Sequence, residues 1–145
     1  MVGELLTQPV EDPVALTSPK RILVVDDDPD QVEALSYRLQ KLGYEATSAN
    51  SGEQALESAI SLIPDLVLLD LGLPDLTGFD VCSQLGENSG TCGIPVIILS
   101  GMETEDVVRR SRTAGCAYYL RKPYDPNVLL TLIQNTLEST QGVDW

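Results

Sequence analysis

Leu66-Val67-Leu68-Leu69 is an unbroken apolar run that stops dead at Asp70, and this constrains the fold more than any other stretch of the chain. A strand with one wet face alternates, whereas a run without alternation is covered on both faces, as in the middle of a parallel sheet. Pro64-Asp65 precedes the run and Gly72-Leu73-Pro74 follows it, so regular structure ends just after the acid. Asp70 therefore belongs at the carboxyl end of a central strand, on the rim where open α/β folds bind ligands. A lone acid in such a place caps a turn just as readily. What stands beside it decides its role.

The same unit recurs along the chain. Ile22-Leu23-Val24-Val25 is a second compact apolar run, closed by Asp26, Asp27 and Asp28. Asp28 and Pro29 then suit the cap and first position of a helix, on which Val32, Leu35, Leu39 and Leu42 recur at helical spacing up to Gly43. A short strand is predicted over Tyr44 to Ala49, and Asn50-Ser51-Gly52-Glu53 opens a second helix carrying Ala55, Leu56, Ala59 and Ile60. After Asp70 the chain loops through Pro74, Thr77 and Gly78 to a helix from about Phe79 to Leu85, with Gly86 to Gly93 as the next loop. Pro95 to Leu99 forms the fourth strand and delivers Ser100-Gly101 to its end; Glu103 to Ala114 reads as a charged, largely exposed helix. Cys116 to Arg121 is the fifth strand, ending at Lys122-Pro123, and the last helix starts near Asp125-Pro126 and runs to about Ser139. Residues 1–19, with Pro9, Pro13 and Pro19 and no sustained period, read as a flexible leader or linker, residues 20–140 as one domain, and residues 141–145 as a tail. Five strand-then-helix units with short connections imply a doubly wound parallel sheet with helices on both faces.

Bulk properties narrow the chemistry. The chain has 145 residues and 43% hydrophobic content, enough for one domain with a real core. A formal charge of -13 repels polyphosphate, so direct nucleic-acid binding is not expected. No histidine is present, which removes Ser-His and Cys-His nucleophile pairs and histidine metal ligands. Cys82, Cys92 and Cys116 lack C-x-x-C spacing and read as small core fillers in a reducing compartment. Neither a secretory leader nor a run of membrane-spanning length is evident, so a cytoplasmic location off the membrane is expected.

In a parallel sheet all carboxyl ends share one edge. That edge collects Asp26 and Asp27 from the first strand, Asp70 from the third, Ser100 from the fourth and Lys122 just after the fifth. Three carboxylates in one pocket repel unless a cation joins them. A small acidic rim suits Mg²⁺, which keeps several waters and takes one or two carboxylates plus phosphate oxygens. Taken singly, Asp26 to Asp28 could be a solvated helix start, Ser100 a turn residue and Lys122 a surface charge. Together, carboxylates, a metal, a hydroxyl and an ammonium make a place where phosphoryl oxygens can be held and where one carboxylate can itself be the acceptor.

These motifs carry a resemblance. Ile22-Leu23-Val24-Val25-Asp26-Asp27-Asp28-Pro29, Pro64 to Asp70, Leu73-Pro74, Thr77-Gly78-Phe79, Ile94 to Gly101, Gly115-Cys116-Ala117 and Tyr119-Leu120-Arg121-Lys122-Pro123 match in identity, order and spacing. From about Lys20 to Thr140 the chain resembles the CheY-like receiver domain of two-component response regulators. The resemblance implies a flavodoxin-like α/β fold with sheet order 2-1-3-4-5 and five flanking helices. It implies that Asp70 is the phosphoacceptor and that Mg²⁺ is bound directly by Asp27, Asp70 and the Gly72 carbonyl, with Asp26 acting partly through water. Lys122 and Ser100 would hold the phosphoryl group, while Ser100 with Tyr119 would form the switch that remodels the face of the fourth helix, fifth strand and fifth helix. The implied partners are a histidine kinase or histidine phosphotransfer protein upstream, an unidentified protein downstream and, as a further option, a second copy in a dimer formed on phosphorylation.

Gly72 and Met102, two residues after Asp70 and Ser100, offer no side-chain amide or carboxylate to orient a hydrolytic water, which implies a phosphorylated state longer-lived than that of a variant carrying Gly72→Asn and Met102→Glu. Gly101 stands where the family commonly has alanine, so the switch loop is expected to be looser. The last helix lacks the alternating charges of receivers that dimerise through that face; Val128 and Leu132 are expected in the core, with an exposed apolar contact as the alternative. By this reading the protein is a signalling module with self-directed phosphotransfer and no turnover substrate. A pseudo-receiver that only binds partners, or less readily an aspartyl-nucleophile Mg²⁺ phosphatase, is the alternative.

Overall fold

The computed structural model describes residues 18–101 and 105–139, so most of the expected leader, the tail and Met102 lie outside the described residues. Five strands, β1 (Arg21–Val25), β2 (Glu45–Ala49), β3 (Leu66–Asp70), β4 (Val96–Ser100) and β5 (Tyr118–Arg121), form one parallel sheet in the order β2-β1-β3-β4-β5. Between and after them run α1 (Pro29–Lys41), α2 (Gly52–Leu62), α3 (Gly78–Glu87), α4 (Glu105–Thr113) and α5 (Pro126–Ser139). The flavodoxin-like topology expected from the sequence is the one found.

The apolar runs work as two-faced strands. Ile22, Val24, Leu66, Leu68, Ile97 and Leu99 face one layer, packed with Leu39 of α1 and with Leu129, Ile133 and Leu137 of α5. Their neighbours Leu23, Val25, Val67, Leu69, Val96 and Ile98 face the other, against α2, α3 and α4 through Ala55, Ala59, Phe79, Leu85 and Val107. Each of the fully buried strand side chains contributes roughly 1.5–3 kcal/mol by leaving water, and this apolar clamp fixes where the strand ends fall.

Local chemistry sets the element boundaries and corrects several of those expected. Tyr44 is outside β2 because its N–H turns back to the Leu39 carbonyl at 3.1 Å. Helix α2 opens within Asn50 to Glu53 as expected: it starts at Gly52, the Ser51 side chain accepts from Gln54 N, and Gln54 Oε1 accepts from Asn50 N. The expected loop at Gly86 begins two residues later, since α3 continues through Glu87 while the buried Thr91 hydroxyl donates to the Leu85 carbonyl at 2.7 Å. Cys116 is outside β5, its N–H being spent on Ser111 O at the end of α4. Val128 is 46% exposed rather than in the core, whereas Leu132 is partly buried against it. Of the cysteines, Cys82 is buried and Cys116 partly so, but Cys92 is exposed and fills no core; all three are free thiols.

Candidate functional site

The ends of β1 and β3 and the residue after β5 bring Asp26, Asp27, Asp70 and Lys122 together on the sheet's carboxyl edge. At the end of β1 the Asp26 N–H continues the ladder to Ala49 O at 3.1 Å, which buries Asp26, and its Oδ1 accepts from Asp28 N at 3.0 Å. Asp28 caps α1, accepting from Asp30 N, with Pro29 in the first helical position. Asp70 closes β3, and its Oδ2 accepts from Gly72 N at 3.0 Å. Ser100 closes β4 and is buried; its carbonyl accepts from Lys122 N at 2.7 Å, which draws Lys122 in from the end of β5. The Lys122–Pro123 peptide is cis.

The acids expected to meet do meet. Asp26, Asp27 and Asp70 each present a carboxylate oxygen within 4.8 Å of the others. Lys122 Nζ lies 3.1 Å from Asp26 Oδ2 and 3.2 Å from Asp70 Oδ1, with side-chain exposures of 20%, 12% and 14% for Lys122, Asp26 and Asp70. Three carboxylates against one ammonium leave an excess of negative charge in a half-sheltered niche, a donor set that fits a hard divalent cation. Burial, reinforced by the charge on Asp26, lifts the Asp70 carboxyl above the ordinary carboxylate value although Lys122 and the Gly72 N–H oppose it. Burial works against the Lys122 ammonium, but Asp70 and Asp26 outweigh it and hold Lys122 above the usual lysine value.

Gly72 is exposed, immediately beyond Asp70. Tyr119, opposite Ile98 on β5, packs partly buried against the α2–α3–α4 layer. Gly101 is exposed, with open space where a Cβ would stand.

Two residues escaped the sequence reading. Gln31 Oε1 accepts from Lys122 Nζ at 2.8 Å; the available signal was its place in the first turn of α1, three residues after the Asp28 cap and so beside the same edge. Asp75, in the loop after β3, accepts from Gly52 N at 2.7 Å and Glu53 N at 2.9 Å. Those N–H groups, Glu53 first and Gly52 next, hold its carboxyl below the ordinary value. It caps α2 from 23 residues away in sequence, which no local pattern announces.

A doubly wound five-stranded sheet with three acids and a lysine converging on its carboxyl edge defines a CheY-like α/β domain. The family model described as response regulator receiver domain matches residues 22–134. The chain is 35% identical over 124 residues to the DNA-binding dual master transcriptional regulator RpaA of Synechocystis sp., covering 85% of this chain and 51% of that one. It is 39% identical over 126 residues to the DNA-binding response regulator MtrA of Mycolicibacterium smegmatis, covering 86% and 54%. The chain thus spans about half the length of the curated relatives it matches. Among solved structures, a CheY-like response regulator receiver domain protein from Methanospirillum hungatei superposes with a TM-score of 0.81 at 29% identity, covering 86% of this chain and 98% of that one. The chain belongs to the response regulator receiver family of two-component systems.

Proposed function

We propose that this receiver takes a phosphoryl group on Asp70 from the phosphohistidine of a histidine kinase or histidine phosphotransfer protein, and reports it by a change of surface. The observation that carries the reading is the convergence of Asp26, Asp27 and Asp70 within 4.8 Å, with Lys122 Nζ 3.2 Å from Asp70. Asp27, Asp70 and the Gly72 carbonyl would hold Mg²⁺, with Asp26 acting partly through water, and the ion would supply charge neutralisation for the phosphoryl oxygens. An Asp70 carboxylate oxygen attacks phosphorus; the new P–O bond forms as the P–N bond breaks, and the imidazole departs with the electron pair and takes a proton from solvent. Lys122 pairs with the transferred group and the Ser100 hydroxyl donates to one of its oxygens.

Phosphorylated Asp70 is an acyl phosphate that replaces the carboxylate's single negative charge by nearly two and brings strong acceptor oxygens. Drawing Ser100 toward them vacates space for Tyr119 and remodels the face of α4, β5 and α5, where a downstream protein reads the state. Because phosphate shifts this equilibrium only by its preference for the active arrangement, some activation without it is expected. Three free thiols fit a reducing, cytoplasmic setting, and no helix among the described residues is long and apolar enough to cross a membrane. The relatives' DNA binding is named for proteins about twice as long as the matched region. For these 145 residues, at net charge -13, direct nucleic-acid contact is not proposed.

Acetyl phosphate with Mg²⁺ tests the assignment. Intact-mass analysis should find one phosphoryl adduct that requires Mg²⁺ and disappears in Asp70→Asn. Continuous turnover would point to a phosphatase, and no adduct to a pseudo-receiver.

A further inference from the structure

An ammonium group has three N–H donors and no acceptor. In this structure Lys122 spends all three, on Asp26 Oδ2 at 3.1 Å, on Asp70 Oδ1 at 3.2 Å and on Gln31 Oε1 at 2.8 Å. The third partner differs in kind: it is neutral, it comes from α1 instead of a strand end, and its bond is the shortest of the three. The two carboxylates are also the candidate ligands of the divalent cation. When they turn their charge to that cation and Asp70 becomes an acyl phosphate, the hold of both on Lys122 weakens; the Gln31 amide keeps its acceptor throughout. Being uncharged, it does so without repelling an incoming phosphoryl dianion, as a glutamate there would.

Resting on the receiver reading of this site, we propose that Gln31 is a positioning residue that keeps the Lys122 ammonium aimed at the phosphoryl group on Asp70. The first turn of α1 is fixed for this task by the Asp28 cap and Pro29, so the amide approaches from a rigid base. On phosphorylation Lys122 exchanges its Asp70 bond for one to a phosphoryl oxygen, turning about the Gln31 contact.

Gln31→Met keeps the length and removes the acceptor. Affinity for beryllofluoride at saturating Mg²⁺, read by ¹⁹F NMR, should fall about three- to tenfold, the range of one net hydrogen bond. Mg²⁺ affinity alone should change by less than about twofold, as for an exposed substitution. The Lys122 ¹⁵N ammonium signal, assigned by its loss in Lys122→Arg, should exchange faster with water in Gln31→Met and stay slow in Gln31→Glu, which restores the acceptor. Unchanged beryllofluoride affinity in Gln31→Met overturns the proposal. So does an equal loss of Mg²⁺ affinity and thermal midpoint, which would make Gln31 merely structural. A wild-type protein that binds no beryllofluoride in Mg²⁺ overturns the receiver reading itself, a result distinct from failure at Gln31 alone.

Discussion

Replacing Gly78 by alanine tests whether the close packing behind Asp70 is as tight as the geometry requires. A Cβ built there would stand 2.9 Å from the Asp70 carbonyl oxygen, 2.8 Å from Leu71 Cδ2 and 3.0 Å from Leu71 Cα. These are about half an ångström inside ordinary contact, and two of the three are backbone atoms that cannot rotate away. Overpacking of this kind costs about 1–3 kcal/mol, which for a domain of this size lowers the thermal midpoint by roughly 3–12 °C. The same substitution at Gly86, later in α3, meets nothing within 4 Å. There the helix gains up to about 1 kcal/mol from the loss of glycine's backbone freedom. Urea unfolding followed by far-UV circular dichroism should thus give opposite signs for two Gly→Ala changes in one helix. Because one of the backbone atoms that Gly78→Ala meets is the Asp70 carbonyl oxygen, adduct formation with acetyl phosphate should fall as well. Equal stability for the two variants, or a stabilised Gly78→Ala, would refute the packing argument.

Three further outcomes follow. The raised Asp70 carboxyl favours the fold when protonated, a contribution lost as pH rises through its folded value, so at pH 7 its charge works against folding. In chelator, Asp70→Asn should therefore be the more stable protein at pH 7, the gap closing as pH falls below the ordinary carboxylate range; a less stable variant at pH 7 would contradict this. Maleimide at neutral pH should label Cys92 quickly and spare Cys82, whose thiol is buried and pushed up to about 11, by burial first and by Cys116 second, until denaturant is added; mass spectrometry of the tagged peptides decides the point. Adduct decay should be faster in Gly72→Asn with Met102→Glu than in the wild type, measured after removal of the donor, and equal or slower decay would remove the assigned role of those two positions.

The sheet was legible in the sequence because its central strands are short apolar runs cut off by charge or glycine, and Asp26, Asp27, Asp70 and Lys122 were legible because each sits at such a cut. What escaped depends on contacts between distant segments. Gly86 looks like a stop, yet Thr91 satisfies the Leu85 carbonyl and the helix carries on past it. Val128 has the period of a core residue, but α5 turns it outward while Leu129 and Ile133 carry the packing. Gln31 and Asp75 act through bonds to Lys122 and to α2, 91 and 23 positions away.

The bond from Asp75 to α2 has a dynamic consequence. Gly52 packs so closely on Leu76 that an added methyl would come within 2.7 Å of it, and the same stretch, through Asp75, satisfies the first two amides of the helix. A transient opening of the segment downstream of the acceptor must expose those two amides, so the protection of Gly52 and Glu53 against deuterium should track that segment and not the middle of their own helix. Two connections separate in the chain would then breathe together, and hydrogen exchange would register motion in the segment after Asp70 at the start of α2.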